Sequence, residues 1–311
     1  MCVSILPRAI AVALCFTAFT GAASAQTSII IGATPTSEPA SAMIGVAQGF
    51  FEKRGLNATY TLISINPSIP PALLSNSLQI GVPTPTTYLQ AIDGGLDLVI
   101  VAGVSQTSRK SGRNHVVVRK DSGIKEPKDL VGKKFAVPGL NAVFHVNVRH
   151  WLTLQGVDWR QVNFVEAVFP MHGDMLRAGQ VDAVITAEPF LSNILNRGDG
   201  VSLVNMTEQF PEGNSTMMYV TTRDYAAKNM KVIEAFRGGI EEAKTFIAAN
   251  PDKTREDVGK AMKLPPAAVA NVSIPMVDTK VTVEQLSFWI DVMKKQNMLS
   301  RDIDPAKLIV N

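Results

Sequence analysis

Short apolar runs alternate with longer amphipathic stretches along most of this chain, and that alternation predicts strands separated by helices. The first run, Ser28–Ala33, reads as a buried strand. It breaks at Thr34-Pro35-Thr36-Ser37-Glu38-Pro39, a polar loop rich in hydroxyls. A helix is expected over 40–53, with Met43, Val46, Ala47 and Phe50 on its buried side and Gly55 ending it. Further strands are expected over 59–63, 78–82 and 98–104. Between the last two, Pro83-Thr84-Pro85-Thr86-Thr87 forms a second hydroxyl-rich loop, and Thr86 or Thr87 is placed to cap the helix over 88–93.

The same alternation continues with strands over 115–119, 135–137 and 162–167, and a helix from about Ala142 to Leu154 that stops at Gly156. The helix start leaves backbone NH groups unpaired, which suits a carboxylate or sulfonate; Asn141 capping its own helix is the plainer reading. The clearest unit is Met175–Phe190. A helix ends near Ala178, Gly179 supplies a left-handed exit, and Val181, Ala183 and Ile185 mark a strand that stops at Glu188-Pro189. An acid at the carboxyl end of a buried parallel strand sits where open α/β sheets bind ligands. Helix capping is the alternative for Glu188. Phe169 and Met171, also at a strand end, face either a ligand or the core. Short strands follow over 201–204 and 214–221, and the remainder is helical.

Strand–helix alternation in each half predicts two open, mostly parallel α/β sheets in two lobes. The chain would cross between them near residues 115 and 214. Lobe 1 is then 26–114 plus 215–311, and lobe 2 is 115–214. Two crossings make a hinge, and the cleft between lobes is a natural small-ligand site.

Met1–Ala25 changes the picture of where this happens. Arg8, the apolar run Ala9–Phe19 and Ala23-Ser24-Ala25 read as a secretory signal cleaved after Ala25. Both cysteines, Cys2 and Cys15, lie within it, so the mature chain is expected to lack disulfides, thiolate nucleophiles and Cys-based metal sites. His115, His145, His150 and His172 form no zinc-binding spacing. His145 reads as packed, since no base–nucleophile partner is visible. A formal net charge of +3 points to no nucleic-acid partner. Arg109, Lys110 and Arg113 make the first crossing basic, either as an anion site or as a solvated loop.

Three segments carry a family likeness. Ala47-Gln48-Gly49-Phe50-Phe51-Glu52-Lys53-Arg54-Gly55-Leu56, Lys128-Asp129-Leu130-Val131-Gly132-Lys133-Lys134-Phe135-Ala136-Val137, and Gly179-Gln180-Val181-Asp182-Ala183 through Glu188-Pro189-Phe190 occur in order. Together they resemble the periplasmic substrate-binding proteins of the nitrate/sulfonate/taurine ABC-transporter group. The resemblance implies a type II, Venus-flytrap fold with a double-crossover hinge, and a monomer that delivers a small-molecule solute to a membrane permease, with no cofactor, no metal and no catalysis. It implies ligand-facing positions at Thr34, Thr36, Ser37, Thr84, Thr86, Asn141, Ala142, Phe169, Met171 and Glu188. No arginine falls in these loops, which speaks against nitrate or a simple alkanesulfonate and for a neutral, aromatic or amine-bearing solute. The alternatives are a pyrimidine-precursor-synthase-like enzyme of the same fold, with an active-site histidine and bound pyridoxal phosphate, or a ligand sensor for a membrane receptor.

Overall fold

The computed structural model describes Met1, residues 26–110 and residues 114–310; the rest of the segment read as a secretory signal, with Cys2 and Cys15, and Arg113 lie outside the described residues. Ten strands form two five-stranded sheets. The first sheet uses β1 (Thr27–Ala33), β2 (Leu56–Leu62), β3 (Ile80–Gly81), β4 (Leu98–Gln106) and the late strand β10 (Ser215–Thr222), in the order β2-β1-β3-β10-β4. The second uses β5 (Asn114–Val118), β6 (Lys134–Val137), β7 (Asn163–Glu166), β8 (Ala183–Ala187) and β9 (Val201–Asn205), in the order β7-β6-β8-β5-β9.

Both sheets are mixed, and in the same way. In each, four strands run one way and one is reversed: β10 is antiparallel to β3 and β4, and β5 is antiparallel to β8 and β9. The topology demands this. β4 ends at Gln106 and β9 at Asn205, and each crossing segment enters the other sheet at that same edge. The first strand after each crossing must therefore run back, away from the cleft. β5 begins at Asn114, one residue earlier than expected from the sequence.

Eleven helices complete the described fold: α1 (Ala40–Ala47), α2 (Ile69–Leu74), α3 (Pro85–Asp93), α4 (Val143–Leu154), α5 (His172–Arg177), α6 (Phe190–Arg197), α7 (Arg223–Lys228), α8 (Met230–Ala249), α9 (Pro251–Ala261), α10 (Pro266–Val269) and α11 (Val283–Lys295). α1 is shorter than its apolar pattern predicts. The chain leaves it at Gly49, whose φ of 69° is open to glycine at little cost. That exit folds Phe51 inward, where its ring stacks on Phe236 of α8 at 5.3 Å, and Tyr219 meets Phe236 edge-on at 5.0 Å. Burying three aromatic rings together contributes several kcal/mol, of order 1.5–3 kcal/mol per large side chain. The start of α3 also differs from expectation. Thr84, not Thr86 or Thr87, takes the N-cap position, because Pro85 supplies the preset φ of a first helical residue.

The lobes touch on two sides. At the crossings, Thr107 N donates to Asn214 O (2.7 Å) and Gly213 N to Thr107 O (2.9 Å), so the two segments run side by side as one ribbon. Away from them, Gln90 of α3 donates to Asn141 O (2.8 Å), and Gln296, just past α11, donates to Val146 O (3.2 Å).

Candidate functional site

A cavity with about 720 Å³ of space free of protein atoms, open mouth included, lies between the two sheets at the strand ends where the crossings leave. Lobe 1 supplies Thr36, Ser37 and Glu38 from the loop after β1, Thr216 and Met217 from β10, and Trp289 from α11. Lobe 2 supplies Val143, Phe144 and Asn147 from α4, Glu188 from the turn after β8, and Met206 and Phe210 from beyond β9. The apolar part is an aromatic floor: Phe210 and Trp289 stack at 6.2 Å. Phe144 is braced edge-on by Phe169 at 5.6 Å.

The polar part is built from acceptors. Glu38 Oε2 accepts from the hydroxyls of Ser105 on β4 and Thr216 on β10, the latter at 3.1 Å. These hydroxyls favour the charged form, yet burial outweighs them and holds the Glu38 carboxyl above the usual carboxylate range. Glu188 accepts from Ser192 N (3.1 Å) and Ser192 Oγ (2.9 Å), in the first turn of α6. Two lining side chains carry buried polar atoms with no hydrogen-bond partner: Thr36 Oγ1, on a residue 2 % exposed, and Asn147 Oδ1, on one 7 % exposed. Among the described residues, no lysine, arginine or histidine lines this cavity. A shallower recess on its outer side shares Glu188 and Ser273 with it, and holds Lys110 and Arg255. Arg255 is paired with Asp252 at 2.7 Å.

Of the positions the sequence singled out, the structure brings Thr36, Ser37 and Glu188 to this cavity. Glu188 lies in the wall of the cleft and is tied to the first turn of α6 through Ser192. Thr34 is buried outside the cavity wall. Thr84 turns its hydroxyl to Asn66 Oδ1 (3.2 Å) and lies near Thr86 and Thr87 in a buried cluster of hydroxyls. Phe169 is core, 3 % exposed, stacked on Phe190 and braced on Phe144; Met171 is 51 % exposed at the surface. Their strand, β7, is an edge strand, which sets its exit away from the centre of the cleft.

The start of α4 also departs from expectation. Asn141 does not cap the helix. Its φ is 63°, its Oδ1 accepts from Arg149 (3.2 Å), and its N donates to His145 Nδ1 (2.9 Å). Ala142 holds the cap position with no side-chain bond, so the first turn of α4 presents its unpaired NH end beside Val143 and Phe144 in the cavity wall. His145 packs as expected: burial pushes its pKa down to about 3, which keeps Nδ1 an acceptor for Asn141. His172 is likewise buried, held at about 4 by desolvation, and bonded to Ala167 O at 2.8 Å. Among the described residues no cluster of three or more potential metal ligands exists, and no helix is long and apolar enough to cross a membrane.

Sequence reasoning missed Glu38, Asn147, Phe144, Phe210 and Trp289. One signal for Glu38 was present: Glu38-Pro39 repeats the Glu188-Pro189 pattern of an acid and a proline between a strand and a helix.

Comparison with known proteins follows the geometry. A family model described as NMT1/THI5 like matches residues 38–254. The taurine-binding periplasmic protein of Escherichia coli (strain K12) is 26 % identical over 264 residues, covering 81 % of this chain and 76 % of that protein. A putative thiamine biosynthesis protein of Haemophilus influenzae is 31 % identical over 226 residues, covering 69 % of this chain and 67 % of that one. The alkanesulfonate-binding protein SsuA from Xanthomonas axonopodis pv. citri, solved bound to MOPS, superposes with a TM-score of 0.78 at 20 % identity, over 93 % of this chain and 99 % of that one.

Proposed function

This chain belongs to the NMT1/THI5-like family, and from that premise we propose that it is the exported solute-binding component of an ABC importer, which captures a small organic solute in the inter-lobe cavity and presents it to a membrane permease. The observation that carries this reading is the cavity itself. Its walls come from both lobes, so one solute touches both and stabilises the closed form over the open one. Lobe 1 in this reading is 26–114 with 215–311, and lobe 2 is 115–214; the ribbon at Thr107, Gly213 and Asn214 is the hinge.

Thr36, Ser37 and Glu188 contact the solute directly. Asn141 and Ala142 act through the start of α4, and Phe169 through Phe144. Thr34, Thr84, Thr86 and Met171 do not border the cavity and have no direct role. The protein works as a monomer in the periplasm without chemistry of its own. The synthase-like alternative calls for a histidine at the site. His145 and His172 are instead buried, neutral and engaged with backbone, which favours binding over catalysis. A sensor would use the same cavity, and a neighbouring permease gene separates the two roles.

The test is thermal unfolding and calorimetry of the mature protein against a panel of organic solutes. A solute at about 100 times its dissociation constant stabilises the native state by about 2.7 kcal/mol. A melting temperature unmoved by every solute contradicts the proposal.

A further inference from the structure

We propose that the solute carries a basic nitrogen, an amine or amidine, whose N–H groups dock on Glu38. This deepens the binding reading above and rests on it. Glu38 is fixed from one side only: both hydroxyls, Ser105 and Thr216, reach Oε2. A carboxylate has room for several donors, both of these bonds reach Oε2, and Glu38 lines the cavity.

Two neighbours of Glu38 in the wall are also open to N–H donors, Asn147 Oδ1 as an acceptor only and Thr36 Oγ1 as an acceptor or a donor. Thr36 Oγ1 and Asn147 Oδ1 are buried without partners, one from each lobe, and both residues line the cavity. A buried polar atom with no partner is costly, so such atoms persist where a ligand completes them. N–H groups on a solute nitrogen are donors of the kind these atoms lack. A nitrate, an alkyl chain or an ether supplies none. Burial supports the assignment, since an acid held above its usual range is returned to its charged form by a cation beside it. Phe144, Phe210 and Trp289 then take the apolar body of the solute, and the NH end of α4 leaves room for a second, anionic group on the same molecule.

The experiment uses matched pairs that differ only in the nitrogen: benzylamine against benzyl alcohol, and 2-aminoethanesulfonate against ethanesulfonate. Each is titrated by calorimetry into the mature wild-type protein and into Glu38→Gln, with circular dichroism to show that the variant is folded. The expected result is that at least one nitrogen-bearing member binds tenfold or more tightly than its partner, and that Glu38→Gln erases the difference. A preference carried by benzylamine assigns a simple amine; one carried by 2-aminoethanesulfonate assigns a bipolar solute. Equal binding within both pairs, or a preference that survives Glu38→Gln, overturns the inference and leaves the binding reading standing. Silence from all four compounds overturns the inference, while the binding reading is decided separately by the wider solute panel. Should Glu38→Gln misfold, Asn147→Leu gives the second reading, with the preference expected to fall several-fold.

Discussion

The two acids of the cavity are held in opposite ways. Glu188 is held locally, by the backbone and hydroxyl of Ser192 four residues on, in the first turn of the helix it precedes. Glu38 is held from afar, by Ser105 and Thr216 on two neighbouring strands of the first sheet. A local brace forms with its helix and serves the lobe whether or not the cleft is closed. A long-range brace exists only once the sheet is assembled, and it leaves the acid desolvated. Lobe 1 therefore stores an electrostatic cost at Glu38. A ligand that brings a cation relieves that cost, which makes Glu38 a centre of specificity in the site.

The comparison breaks most sharply if the remote brace is removed. Ser105→Ala with Thr216→Ala is expected to weaken binding of the stabilising amine by about 1.5–3 kcal/mol, the worth of one hydrogen bond to a charged group, because both bonds also exist in the free protein and only the part gained when Glu38 is charged by the ligand is lost. Calorimetry reads this directly. The local brace should matter less. Ser192→Ala keeps the backbone donor to Glu188, so a loss of only about 0.5–1 kcal/mol is expected in denaturant unfolding.

Glu38→Gln sharpens the contrast through its sign. A carboxyl raised above its ordinary value of 4.5 contributes stability that is full below pH 4.5 and is lost as pH rises through its folded value. The variant should therefore melt higher than wild type at neutral pH without ligand, and the gap should close toward pH 4.5. Amine affinity in the wild type should fall on acidification, beginning above the usual carboxylate range. Glu188 is the other titratable group of the described cavity wall, and Glu38→Gln should remove that part of the profile. The smallest effect is in lobe 2. His145, held at about 3 by burial, opposes folding only as pH drops below the ordinary imidazole value of 6.5, the reverse direction. Ring-proton NMR shifts of His145 should stay flat from pH 7 to 5; a titration near 6.5 would contradict its burial.

What the sequence made legible follows the same divide between local and remote. The alternating pattern placed every strand within a few residues, because each strand's burial is written in its own apolar run. Glu188 was visible because strand, acid, proline and helix are contiguous. Glu38 lay in a loop already marked as polar, but its importance depends on hydroxyls 67 and 178 residues away. Phe144, Phe210 and Trp289 come from three separated segments, and no local window joins them. Phe169 was the reverse case: a strand-end aromatic turned inward because β7 lies at the sheet's edge. The reversed strands β5 and β10 were foreseeable from the crossings, since a chain entering at the cleft edge has to run away from it.

The central claim is that both lobes close on one solute between Glu38 and Glu188. A crystal structure of the mature protein with the most stabilising solute of the matched pairs tests it most directly. The account predicts a nitrogen within hydrogen-bond reach of Glu38, and an apolar body against Phe144 and Phe210. A solute seated outside this cavity, or one touching a single lobe, would contradict it.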